Sequence, residues 1–103
     1  MKTYAYSTGA AAVYAAWLER QDDPKLHALA SRFRPWEIYS LDGGSRGLLV
    51  RVVGHEASDI VNLLHVQYLN NPHRPEGVIT VVDHQLELWG VLGFDTIPAK
   101  EAA

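Results

Sequence analysis

The chain has 103 residues, 48% apolar and 20% charged. That composition fits one ordinary globular domain and excludes disordered, collagen-like and coiled-coil chains. It holds no cysteine, which removes disulfides, thiolate metal sites, iron–sulfur clusters and cysteine nucleophiles together. The formal net charge of −3 argues against direct nucleic-acid binding, which calls for a basic field.

No apolar run approaches the roughly 18 residues that span a bilayer. The segment Met1-Lys2-Thr3-Tyr4-Ala5 lacks the apolar stretch of a signal peptide. The expected location is the cytoplasm, with no membrane partner.

The first predicted element is a helix. Thr8 is placed to cap it, and Ala10, Ala11, Ala12, Ala15 and Ala16 favour it. Val13, Ala16 and Trp17 follow i, i+3, i+4 spacing, so Trp17 is expected in the core. A second helix starts at Asp23-Pro24, a cap followed by proline at the first helical position. Leu26, Leu29, Ala30 and Phe33 make one apolar stripe on it. Pro35 disfavours helical geometry at Arg34 and ends it. Residues 1–35 thus read as a helical hairpin.

The period then changes to two. Trp36, Ile38 and Ser40 alternate with Glu37, Tyr39 and Leu41, as in a strand. Asp42-Gly43-Gly44-Ser45 has turn chemistry, and Gly47 to Val53 is a β-branched run buried on both faces. Residues 58–69 read as a helix: Ser58 and Asp59 start it, and Ile60, Leu64 and Tyr68 share a face. A strand reading competes, because Asn62, Leu64, Val66 and Tyr68 also alternate with Leu63, His65 and Gln67. Asn71 to Gly77 is a loop, Val78 to Val82 a strand, Asp83-His84-Gln85 a turn and Leu86 to Val91 the returning strand. Gly90 and Gly93 weaken its far end or mark a bulge.

The expected fold is α+β in two layers: an N-terminal helical hairpin and one further helix over a four-stranded, mainly antiparallel sheet. It forms a single domain over 1–103, with sheet and helix in 36–96 and a frayed tail in 97–103. Trp36 and Trp89 are expected in one sheet layer. If 86–92 is an edge strand, guarded only by Glu87, it offers a ladder for a homodimer.

Histidine is the only side chain here that titrates near neutrality unaided. His55, His65, His73 and His84 fall within thirty residues, but no H-x-H or H-x-x-x-H pair exists. No metal site and no cofactor is expected. His73 and Arg74 in the proline-flanked loop, with Arg51, are the candidate groups for work on a phosphodiester, and His73, His55 or His84 the candidate acid–base groups. The glycine-rich 42–47 segment lacks the lysine of a phosphate-binding loop, and no G-x-S-x-G or G-x-G-x-x-G motif occurs.

Charge is divided unevenly. Residues 1–35 carry net +2 and residues 36–103 net −5. The acidic body suggests docking on a protein with a basic surface through Glu37, Asp42, Glu56, Asp59, Glu76, Asp83 and Glu87. The leading expectation is a small inhibitor or immunity-type protein that binds a larger, nucleic-acid-handling enzyme, as anti-CRISPR and anti-restriction proteins do. The alternatives are a small histidine-dependent hydrolase or ribonuclease-like enzyme, metal-dependent or not, and a structural subunit that oligomerises.

Overall fold

The computed structural model describes residues 2–4 and 9–92. Eight elements follow in order: β1 (Lys2–Tyr4), α1 (Gly9–Glu19), α2 (Pro24–Arg32), β2 (Glu37–Leu41), β3 (Leu49–Glu56), β4 (Leu63–Tyr68), β5 (Val78–Val82) and β6 (Leu86–Leu92). Short 3₁₀ turns at Asp42–Gly44 and Asp83–Gln85 join β2 to β3 and β5 to β6. The sheet order is β1-β6-β2-β3-β4-β5. Five strands are antiparallel, and β1 runs parallel to β6 at one margin. The architecture is α+β, with two helices and more strands than the four expected.

Local chemistry explains most boundaries. The Asp23 carboxylate accepts from the backbone N–H groups of Lys25 and Leu26 at 3.0 and 3.4 Å. With Pro24 at the first helical position, this satisfies donors that the helix itself leaves unpaired. The β2–β3 turn needs positive φ at Asp42, Gly43 and Gly44 (51°, 68° and 78°), a region that glycine enters without steric penalty. The expected cap at Thr8 and the tail 97–103 lie outside the described residues.

The segment 58–69 departs from the expected helix. It is a loop followed by β4, seated between β3 and β5. Ser58 and Asn62 supply turn bonds: the Ser58 hydroxyl accepts from the Ile60 N–H, and the Asn62 side chain accepts from the Ser58 N–H. Such bonds compete with helix formation. Ile60, expected on the helix's apolar face, is 94% exposed. Leu64, Val66 and Tyr68 point into the core while Leu63, His65 and Gln67 alternate outward. A strand interior to the sheet makes two sets of hydrogen bonds, and this outweighs a local preference for helix.

The strand 86–92 is not an edge. It lies between β1 and β2, and its C-terminal half pairs with both. Among the described residues, the open edges are β1 and β5. A bulge at Trp89, where Ile38 opposes Gly90 and Tyr39 opposes Leu88, sits beside one of the two glycines expected to mark an irregularity. Trp89 packs on Ile38 and Leu49. Trp36 precedes β2 and stands under the Arg34 guanidinium at 5.8 Å.

Among the described residues two apolar clusters form, one on each sheet face. The larger joins Leu29 and Phe33 of the α2 stripe to Tyr39, Leu41, Val50, Val52, Leu64 and Val66. The smaller joins Ala11 of α1 to Ile38 and Leu49, which point the other way by strand alternation. Helix α1 thus touches both groups: Ala11 joins the smaller cluster, while Tyr14 reaches His55 beside the end of α2. We expect Leu64→Ala to lower stability by about 2–5 kcal/mol, because Leu64 is fully buried in a core that collapses only in part. Ile60→Asp should change it by less than about 0.5 kcal/mol. Urea unfolding of both variants checks the strand assignment, since a helix that buried Ile60 together with Leu64 would make both changes costly.

Candidate functional site

The α1 sequence carries no charged residue before Glu19. A helix apolar on every side is normally buried on every side. This one is not. Ala11 and Leu18 turn into the protein and are buried, with Ala15 half-buried beside them. Ala10, Val13, Tyr14 and Trp17, at i, i+3, i+4 and i+7, form a second stripe. Val13 is 72% exposed, Trp17 is 43% exposed and Ala10 is exposed. The core position expected for Trp17 is thereby corrected. The spacing read from Val13 to Trp17 is real, but it marks the outer stripe.

This stripe is held rigidly. The Tyr14 hydroxyl lies 2.7 Å from Nδ1 of His55, and Nε2 of His55 lies 2.6 Å from the Phe33 carbonyl oxygen. A carbonyl oxygen only accepts, so Nε2 carries the proton and donates. In the neutral ring Nδ1 then has a lone pair, and Tyr14 donates to it. The rings also stack: Tyr14 on His55 at 5.5 Å, and Tyr14 on Trp17 at 5.7 Å, with planes 19° and 14° apart. The result is a ladder of three rings, His55-Tyr14-Trp17, running from the sheet to the surface.

Electrostatics agree with this assignment. Burial lowers the His55 pKa below its ordinary 6.5; the bond to Phe33 opposes this and nearby His65 adds to it. Burial raises the Tyr14 pKa, against the bond to His55, so Tyr14 keeps its donor proton. Both nitrogens of His55 are engaged, and neither faces a nucleophile or an open pocket among the groups bonded to it. The arrangement fixes the position of the ring from both sides.

The other candidate residues do not converge. His73 and Arg74 lie exposed in the 70–77 loop. The His73 N–H bonds to the Asn71 side chain, and Arg74 stands 5.8 Å over the Tyr68 ring. His55 is tied to α1 and α2 and does not join them. Among the described residues, no three His, Asp or Glu side chains gather where a metal ion could sit.

Nor do the seven carboxylates form one surface. Glu37 is buried, 9% exposed, and accepts from the Tyr39 hydroxyl at 2.9 Å, so it is not available for docking. Asp59 pairs with Lys25, and Asp83 lies 3.6 Å from Arg32. Asp42 accepts from Gln85 at 3.1 Å, and Glu56 lies 3.4 Å from His65. Glu76 and Glu87 are exposed, on the 70–77 loop and on β6. A cleft of about 280 Å³ opens on the inner side of α1, lined by Leu18, Ala30, Pro35 and Trp36 with Glu19 and Arg34 at its rim.

Against known proteins the chain matches no family model, no curated protein and no solved structure. No helix among the described residues is long and apolar enough to cross a membrane. The functional reading rests on the geometry of the chain itself.

The His55–Tyr14 link joins positions 41 residues apart, and nothing local in the sequence announces it. The exposed stripe did leave a signal, the lack of charge around α1. The neutral ring also sets a pH dependence. Unfolded His55 titrates near 6.5 and folded His55 lower, so on acidification the unfolded chain takes up the proton first. The stability contributed by neutral His55 is complete above pH 6.5 and falls away as the pH drops below it. Proton NMR should place the His55 midpoint under 6.5. Urea unfolding should show stability falling below that pH in the natural chain, and less steeply in His55→Gln. A midpoint above 6.5 would contradict the neutral tautomer.

Proposed function

We propose that this chain is a protein-interaction module that works by docking, and that the Ala10-Val13-Tyr14-Trp17 stripe of α1 enters an apolar groove on a partner protein. The observation that carries this reading is the ring ladder: Trp17 and Val13 are exposed, yet Trp17 is stacked on a tyrosine that His55 holds in place. An i, i+3, i+4, i+7 row of apolar anchors is how a helix occupies a groove. Aromatic anchors dominate binding energy where they are desolvated at the centre of a contact. Fixing them beforehand lowers the entropy lost on association.

The net −5 over residues 36–103 steers encounter toward a basic partner, although the carboxylates are spread over the surface. In the narrower form of this reading the partner is a larger enzyme and the module blocks it, as inhibitor, immunity, anti-CRISPR and anti-restriction proteins do. A domain with a prearranged apolar face suits that role, because occupying a surface needs no chemistry.

Affinity capture from the native host tests this with three forms of the chain. The natural chain should recover one protein in stoichiometric amount. Trp17→Ala should bind it at least roughly 30-fold more weakly, a loss of about 2 kcal/mol or more. It should change folding stability by less than about 1 kcal/mol. Asp42→Ala/Glu87→Ala should retain the partner with a slower on-rate. A partner held equally by Trp17→Ala, or none recovered by the natural chain, would remove the docking face from consideration.

A further inference from the structure

The second open feature is the margin of the sheet at β5, away from the α1 stripe. The five residues Val78-Ile79-Thr80-Val81-Val82 contain no charge, no proline and no bulge. Soluble proteins usually blunt an edge with one of these. Val78 is 51% exposed and Thr80 is exposed.

The ladder fixes which backbone groups face out. The Tyr68 N–H donates to the Gly77 carbonyl at 3.0 Å, and with the β4–β5 register this makes Tyr68 and Gly77 a hydrogen-bonded pair. Pairs of that kind alternate along an antiparallel ladder. Ile79 and Val81 therefore turn their N–H and C=O toward β4, and Val78, Thr80 and Val82 turn theirs outward. The Val82 N–H agrees with this direction, because it reaches out to the Gln85 side chain at 2.9 Å. Among the described residues, nothing meets the outward groups of Val78 and Thr80.

We infer that this edge pairs with the same edge of a second copy of the chain, antiparallel, about a two-fold axis at Thr80. The strand is complementary to itself in this register. Thr80 faces Thr80 and Val78 faces Val82, so outward-facing residues meet outward-facing residues in every pair. Two backbone hydrogen bonds form between the Thr80 residues from groups left open, and each Val78 N–H faces the opposite Val82 carbonyl, whose second lone pair is available beside the bond that closes the Asp83–Gln85 turn. Two more form if Gln85 releases the Val82 N–H.

The side chains agree on both faces. Ile79 meets Val81 on the face of the larger core, of which both already form part. Val78, Thr80 and Val82 continue the other face. Charge agrees at both ends. Arg74 and Glu76 precede the strand, and Asp83 and His84 follow it. An antiparallel axis brings Arg74 of each copy toward Asp83 of the other, so this one opposite pair can meet twice. A two-fold contact repeats each such match by symmetry. The result is one sheet continuous through both copies, with the two β5 edges closed.

The absence of cysteine supplies the test. In a hydrogen-bonded antiparallel pair the facing Cα atoms are about 5.5 Å apart, inside the range a disulfide spans. Thr80→Cys, mildly oxidised at low concentration, should run as a disulfide-linked dimer. Glu87→Cys, on β6, should not. Sedimentation of the natural chain should show mass rising from 11.5 kDa toward twice that with concentration. Val78→Lys/Thr80→Lys sets like charges face to face across the axis, and should weaken the dimer at least about tenfold while leaving the circular dichroism spectrum unchanged. The Trp17→Ala chain should dimerise normally, which separates this contact from the docking face of α1. A natural chain that stays at 11.5 kDa at every concentration tested would overturn the inference. So would a dimer that survives in Val78→Lys/Thr80→Lys or that forms disulfides equally through Glu87→Cys.

Discussion

A single proton, on Nε2 of His55, decides how three elements meet. It goes to the Phe33 carbonyl at the end of α2 and leaves Nδ1 open to Tyr14 of α1. β3, α1 and α2 are thereby tied through one ring that belongs to none of their hydrogen-bond ladders. A small domain buries a modest fraction of its surface, so a directional tie of this kind settles packing that apolar contact alone leaves loose. A second clasp works beside it. The Tyr39 hydroxyl accepts from the Arg34 N–H at 3.0 Å and donates to Glu37 at 2.9 Å. Burial, together with the Glu37 carboxylate, holds the Tyr39 pKa far above its ordinary value, so Tyr39 remains a donor. The turn from α2 into β2 is fixed from both sides, and the buried Glu37 oxygen has its hydrogen bond.

Legibility in the sequence followed the range of the forces involved. The Asp23-Pro24 start of α2, the Leu29 and Phe33 stripe and the Asp42–Gly44 turn depend on neighbours within a few residues, and all were readable. The strand β4 was not fixed by its own residues. Both periodicities fit 58–69, and the decision came from β3 and β5, which offered it two ladders. Pairing distant in sequence also placed β6 inside the sheet, since its outer neighbour β1 lies more than 80 residues earlier in the chain. The candidate site was legible only in part. Val13, Tyr14 and Trp17 stood out as apolar, yet which side of a uniformly apolar helix faces water depends on where Leu18 and Ala11 find their partners.

The acidic residues show a related division. Their number sets a long-range field, but local bonding settles where several of them sit. Asp23 caps a helix, Asp42 holds Gln85, Asp59 and Asp83 meet cations on α2, and Glu37 orients a tyrosine. A charge count therefore says more about encounter than about contact.

The bulge in β3 has a consequence for how this chain can vary. Val52 opposes Val66 and Gly54 opposes His65, so Val53 is one residue more than β4 matches. That extra residue reverses the facing of everything after it, and places His55 on the α2 side beside Leu64 instead of on the far face. The crossing is tight: a methyl group on Gly54 would stand 2.9 Å from the His65 ring. The register of β3 therefore depends on its length: shortening or lengthening it by one residue reverses the facing of every side chain beyond the change. A one-residue deletion that kept every remaining side chain would turn His55 away from Tyr14 and leave Trp17 without its footing, so chain length in this strand is inherited more strictly than composition.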